Sequence, residues 1–97
     1  MVVEVDYDAG MPVEDATDVQ SVFAEFLTFA RENELDVLGE PAANWRFDSA
    51  SPHGTYKGKR YWEVLASLYN DNDDQWRPKC VFDVSEEGKV VRLLGCI

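Results

Sequence analysis

The segment from Tyr61 to Tyr69, reading Tyr-Trp-Glu-Val-Leu-Ala-Ser-Leu-Tyr, is rich in aromatic and aliphatic residues on both of its alternating sets of positions. Successive side chains of a strand point to opposite faces. Trp62, Val64, Ala66 and Leu68 therefore share one face, and Tyr61, Leu65 and Tyr69 share the other. A sheet built around this strand needs cover on both sides, which limits what the rest of the chain must supply.

The rest supplies one clear helix. Thr17-x-x-Gln20 has the form of a capping box, in which the Thr hydroxyl accepts from an orphan amide and the Gln side chain reaches back. A helix beginning there places Val19, Val22, Phe23, Phe26, Leu27 and Ala30 on one stripe at spacings of three and four, with Glu25, Arg31 and Glu32 outward. Asp15 and Asp18 suit its positive N-terminal end, and Asn33 is the expected stop.

Ahead of it, Val2 to Tyr7 alternates weakly as a short edge strand that Gly10 and Pro12 break. Beyond a loop at Gly39 to Pro41 the period becomes two. Trp45 and Phe47 share a face of a short strand, and Ser49 to Gly54 has loop chemistry. After the long strand comes the turn Asn70 to Asp74. A strand from Trp76 to Val84 then places Trp76, Cys80, Phe82 and Val84 on one face and Arg77, Lys79, Val81 and Asp83 on the other. Ser85 to Gly88 is a tight hairpin turn with glycine where φ must be positive, and Val90 to Cys96 closes a meander.

The expected fold is α+β: one main amphipathic helix on a four-stranded antiparallel meander sheet, five-stranded if the N-terminal strand joins, in a single domain over residues 1–97. The helix covers one face. Tyr61, Leu65 and Tyr69, with Val81 beside them, are left to be covered in one of three ways. The N-terminal Val3, Val5 and Tyr7 fold over them, a partner or second copy docks on them, or the sheet curls into a pocket.

Charge is one-sided. Of a net −10, residues 1–40 hold eleven acids against the single cation Arg31, while residues 41–97 hold eight of each sign. Such a field repels nucleic acid and anionic membrane and attracts basic proteins; an acidic surface also serves solubility alone or life at high salt. No basic n-region, no apolar h-region and no run of about 18 apolar residues is present, so a cytoplasmic location is expected. Cys80 and Cys96 form no CxxC pair and read as small buried hydrophobes.

The residues that carry chemistry elsewhere carry little here. His53 is the one histidine, and neither Ser51 nor a cysteine stands in a nucleophile signature with it. Asp71 to Asp74 opens like a calcium loop, but Trp76 occupies the position that needs glycine and Phe82 the position that needs a closing Glu. Tyr56 to Trp62 interleaves basic and aromatic residues as single-strand nucleic-acid binders do, yet three cations beside the acidic half make a poor phosphate groove, and the segment reads as edge protection or counter-charge. No enzymatic activity, metal or cofactor is expected.

From Tyr61 to Leu94 the Tyr-Trp-x-Val strand, the polar turn and the Asp-Val-Ser-Glu-Glu-Gly-Lys-Val hairpin resemble the terminal strands of cystatin-like and NTF2-like small domains, nearest to NTF2-fold immunity proteins. The resemblance implies a non-enzymatic neutraliser of a toxin. Together with the charge, it leads to an expected inhibitor or immunity-type protein with a basic protein partner. Tyr61, Leu65 and Tyr69 are the expected anchors, and Glu14, Asp15, Asp18, Asp71 and Asp73 the acids that speed association. Two alternatives stay open: mimicry of nucleic acid to block a DNA-binding enzyme, and a small-ligand domain with a curled-sheet pocket.

Overall fold

The computed structural model describes residues 3–37 and 40–96; the side chains of Val3, Glu4, His53, Pro78, Lys79 and Cys96 lie outside the described set, and so does any role of the His53 ring. In chain order the elements are β1 (Val3–Asp8), α1 (Ala16–Glu32), β2 (Asp36–Val37), β3 (Glu40–Pro41), a 3-10 turn at Ala42–Asn44, β4 (Trp45–Tyr56), β5 (Lys59–Asn70), β6 (Gln75–Ser85) and β7 (Lys89–Cys96). The protein is α+β with an antiparallel main sheet, ordered β1-β7-β6-β5-β4, and β2 and β3 form a separate small ribbon.

Helix α1 buries the expected stripe, Val19, Val22, Phe23, Phe26, Leu27 and Ala30. Burying each large apolar side chain contributes about 1.5–3 kcal/mol. Its start differs from the expected Thr17 box. Asp15 is the N-cap: its carboxylate accepts from the Asp18 amide at 3.0 Å, and the Asp18 carboxylate accepts from the Glu14 amide at 2.9 Å. Two carboxylates at the positive end of the helix satisfy these donors and start the helix two residues earlier than Thr17 would. At the other end Asn33 is the C-cap, as expected. The Leu35 amide donates to the Ala30 carbonyl at 2.8 Å and the Glu34 amide to the Arg31 carbonyl at 3.2 Å. This is a Schellman closure, with Glu34 in the left-handed position at φ 53°.

Three features of the sheet correct the sequence reading. Ser49 to Gly54 is not a loop but part of β4, which absorbs the extra residues as irregularities at Phe47/Ser49 and Ser51/Gly54. The basic-aromatic segment is a hairpin, with Lys57 at φ 52° and Gly58 at φ 77° forming the two-residue turn between β4 and β5. In β6 the register steps from Ala66↔Cys80 to Ser67↔Pro78, so Lys79 is an inserted residue. One inserted residue reverses the side chains on one side of it relative to those on the other. Trp76 therefore pairs with Tyr69 on the face away from the helix rather than sharing the face of Cys80.

The core lies between α1 and the inner face. Phe23 meets Phe82 edge-on at 5.1 Å, Trp45 meets Phe82 at 5.8 Å, and the Trp45 indole donates to the Val37 carbonyl at 3.1 Å. Strand β1 joins this side: the Tyr7 ring stands 5.7 Å from Phe26 and 5.3 Å from Phe29. The N-terminal segment thus does not fold over Tyr61, Leu65 and Tyr69. Its continuation crosses the β6–β7 turn, where Ala9 donates to the Gly88 carbonyl at 2.9 Å and Val13 to the Glu86 carbonyl at 2.8 Å. Gly88 has the positive φ expected of it, 89°, and a Cβ there would collide with the Met11 carbonyl. Cys80 is buried as expected but is not a free thiol. It is disulfide-bonded, and Cys96 stands opposite it in the β6–β7 register.

Candidate binding face on the open side of the sheet

The face without a helix is not uniformly open. Glu63 pairs with Asp83 and Asp83 with Arg92, so three ionisable residues form one row across β5, β6 and β7. Arg92 Nη2 donates to Asp83 Oδ2 at 2.6 Å, and the two residues are only 7% and 1% exposed. Their cover is the end of the β4–β5 hairpin. The Arg92 guanidinium carbon stands 3.7 Å from the Tyr56 ring centroid and 5.0 Å from that of Tyr61. The curl is measurable at Gly54. In a flat sheet β4 and β6, two strands apart, lie about 9–10 Å from each other, yet a Cβ on Gly54 would stand 3.6 Å from Asp83 Oδ1.

Between the curled hairpin and the sheet lies a cavity of about 440 Å³, with Gly54, Tyr56, Glu63, Asp83, Arg92 and Leu94 around it. Burial pushes the Asp83 carboxyl above its ordinary range; the Arg92 guanidinium, by charge and hydrogen bond, pulls it down, and Glu63 adds a smaller upward push. While Oδ2 is engaged by Arg92, Oδ1 is buried with no hydrogen-bond partner among the described residues.

The expected anchors separate. Tyr61 is 8% exposed, enclosed by its own chain against Arg92, so it offers no open surface. Leu65 and Tyr69 are half-buried, and so are their cross-strand partners Val81 and Trp76. Tyr69 meets Trp76 edge-on at 5.4 Å, its hydroxyl bonds to the Asp74 carboxylate, and Arg46 lies 4.8 Å over the Trp76 ring. The acids separate too. Asp71 and Asp73 are in the β5–β6 turn beside Tyr69, where Asp73 pairs with Arg77. Glu14, Asp15 and Asp18 lie at the opposite end of β6, on the helix side, where Val13 is tied to the Glu86 carbonyl.

Sequence reasoning missed the Asp83–Arg92 pair and Trp76. The signal for the pair was available: Asp83 is in phase with Val81 on the uncovered face, a charged residue among apolar ones. It also missed Phe29 and Leu35, exposed at 44% and 47%, which with Val5, Tyr7 and Val37 border a groove of about 250 Å³ between α1 and β1.

Among the described residues no three His, Cys, Asp or Glu side chains could hold a metal ion, and no helix is long and apolar enough to cross a membrane. No family model matches the chain, and no curated protein or solved structure matches it.

Proposed function

We propose that this chain is a non-catalytic acidic binding protein, of inhibitor or immunity type, that engages a basic protein through the helix-free face of its sheet. The observation that carries the proposal is the pair of cross-strand neighbours Leu65–Val81 and Tyr69–Trp76, half-exposed on a face that no second layer covers among the described residues. Aromatic and aliphatic side chains in that position gain most from a partner that completes their desolvation. Asp71 lies at the edge of this patch, where an acid raises the association rate more than the affinity. The acids of α1 lie too far from it to form one carboxylate track with Asp71 and Asp73, which favours a protein partner over mimicry of nucleic acid. One helix against a curled antiparallel sheet also suits a cystatin-like or NTF2-like domain, and that assignment is part of the proposal.

Affinity capture from the native host, run at low and high salt with wild type and Leu65→Ser side by side, tests the reading. A basic protein in stoichiometric amount with wild type, reduced at high salt and lost with Leu65→Ser, is expected. Recovery of no stoichiometric protein in either condition, or equal recovery by the variant, contradicts it; a second copy of the chain as the sole partner replaces it with self-association.

A further inference from the structure

We infer that the groove between α1 and β1 binds a free arylalkylamine, a small aromatic ring on a short stem that ends in an ammonium. The inference goes beyond the proposed function, since the groove lies on the helix side of the sheet, away from Tyr69 and Trp76. Its floor reaches the core. Phe26, Ala30, Phe82 and Leu93, none more than 7% exposed, line a space of about 250 Å³, while Phe29 and Leu35 stand exposed at its mouth. Water in such a place finds few hydrogen-bond partners, and an apolar group that displaces it gains affinity.

Size and lining select a ring. A cavity of about 150 Å³ walled by leucine, isoleucine and phenylalanine takes benzene, so this groove has room for one bicyclic ring. Tyr7, Phe26, Phe29 and Phe82 border it, and Tyr7 already meets Phe26 at 5.7 Å and Phe29 at 5.3 Å with tilted planes. Aromatic groups prefer such tilted and edge-on arrangements, so an entering ring joins a cluster of its own kind.

Charge selects the stem. Two carboxylates, Asp6 and Asp36, border the groove, and among the described residues no lysine or arginine does. Asp6 is already paired with Lys89 at 2.8 Å. The Asp36 side chain is exposed and makes no hydrogen bond or ion pair among the described residues, which leaves it for an entering ammonium. The Tyr7 hydroxyl stands in the same negative field: burial raises its pKa above the ordinary value, and the Glu25 carboxylate raises it further. An apolar anion such as a fatty acid would add a negative charge at this border with no lining cation to meet it.

The test is a titration of the full chain, followed by amide chemical shifts at constant ionic strength, with tryptamine, hexylamine, neutral 3-methylindole and the anion indole-3-propionate. Tryptamine is expected to saturate the shifts of Tyr7, Leu35 and Val37 with a Kd on the order of 0.1–1 mM. Hexylamine should bind more weakly, and indole-3-propionate at least tenfold more weakly. Asp36→Asn, a change at an exposed residue, should weaken tryptamine about threefold and leave 3-methylindole unchanged. Glu14→Gln, the same change of charge beyond the far end of the 17-residue helix, should alter neither. Tighter binding of an acetylated Lys-Trp-Lys amide would assign the groove to a segment of a protein chain, and a concentration-dependent dimer that Leu35→Ser dissolves would assign it to a second copy; either result overturns the inference. So do failure to saturate, equal affinity for hexylamine or for the anion, and unchanged tryptamine affinity in Asp36→Asn. No partner protein is needed, so failure here is distinct from failure of the capture experiment.

Discussion

Arg92 and Asp83 form a 2.6 Å ion pair that is almost wholly buried on the side of the sheet where no helix lies. The cover comes from the chain itself, as the tip of the β4–β5 hairpin brings Tyr56 over the guanidinium. Removing one partner strands the other charge in a desolvated place. Arg92→Ala is therefore expected to cost about 3–5 kcal/mol, while the joint change Asp83→Leu with Arg92→Met should be neutral or stabilising by about 1–4 kcal/mol. Urea denaturation of the three proteins checks both figures.

The same pair has a pH signature. The folded-state value of Asp83 is raised above its ordinary 3.8, chiefly by burial. The folded protein thus holds this proton more tightly than the unfolded chain does. Stability contributed by Asp83 is greatest below the unfolded value and is lost as pH rises through the folded one. Relative to Asp83→Asn, wild type should lose stability across that window. A difference in unfolding free energy that grows in favour of wild type with rising pH would be the opposite sign.

At Gly88 the strain is steric. Its φ of 89° and the Met11 carbonyl pressed against it leave no place for a side chain. Gly88→Ala should cost more than about 2 kcal/mol, since it combines a strained left-handed backbone with displacement of the N-terminal crossing. Thermal melts measure this directly.

Glu34 offers the reverse. It occupies the left-handed position of the helix closure at φ 53°, where glycine carries no Cβ penalty. Glu34→Gly should stabilise the protein by roughly 0.5–1 kcal/mol. Urea melts that show a loss would mean the Glu34 side chain contributes more than its backbone costs.

Cys80 is expected to contribute through its disulfide. Cys80→Ala should lower unfolding free energy by about 2–4 kcal/mol without reductant. With excess reductant the difference from wild type should shrink towards the cost of a small core change.

How far these features were legible in the sequence follows from what each depends on. The α1 stripe and the Gly88 turn depend on local period and on one residue's φ, and both stood as read. The two-faced strand was also readable, because apolar residues on both phases of Tyr61–Tyr69 need no knowledge of neighbours. The N-cap was ambiguous, since Asp15/Asp18 and Thr17/Gln20 both have capping spacing and tertiary ties at Val13 favoured the earlier start. The inserted residue at Lys79 left no mark in composition, yet it moved Trp76 to the other face. The Asp83–Arg92 pair and the placement of Cys96 opposite Cys80 exist only once the β6–β7 register is set. Tyr61 was assigned to the right face and the wrong environment, because the curl over Arg92 is a long-range property of β4.

Hydroxyl-radical footprinting of the captured complex against the free protein compares two apolar groups that point away from each other across the sheet. Protection of Tyr69 and Trp76, with Phe29 and Leu35 oxidised as in the free chain, is the predicted result. Protection of Phe29 and Leu35 with Tyr69 and Trp76 unchanged would contradict it and move the interface to the groove between α1 and β1.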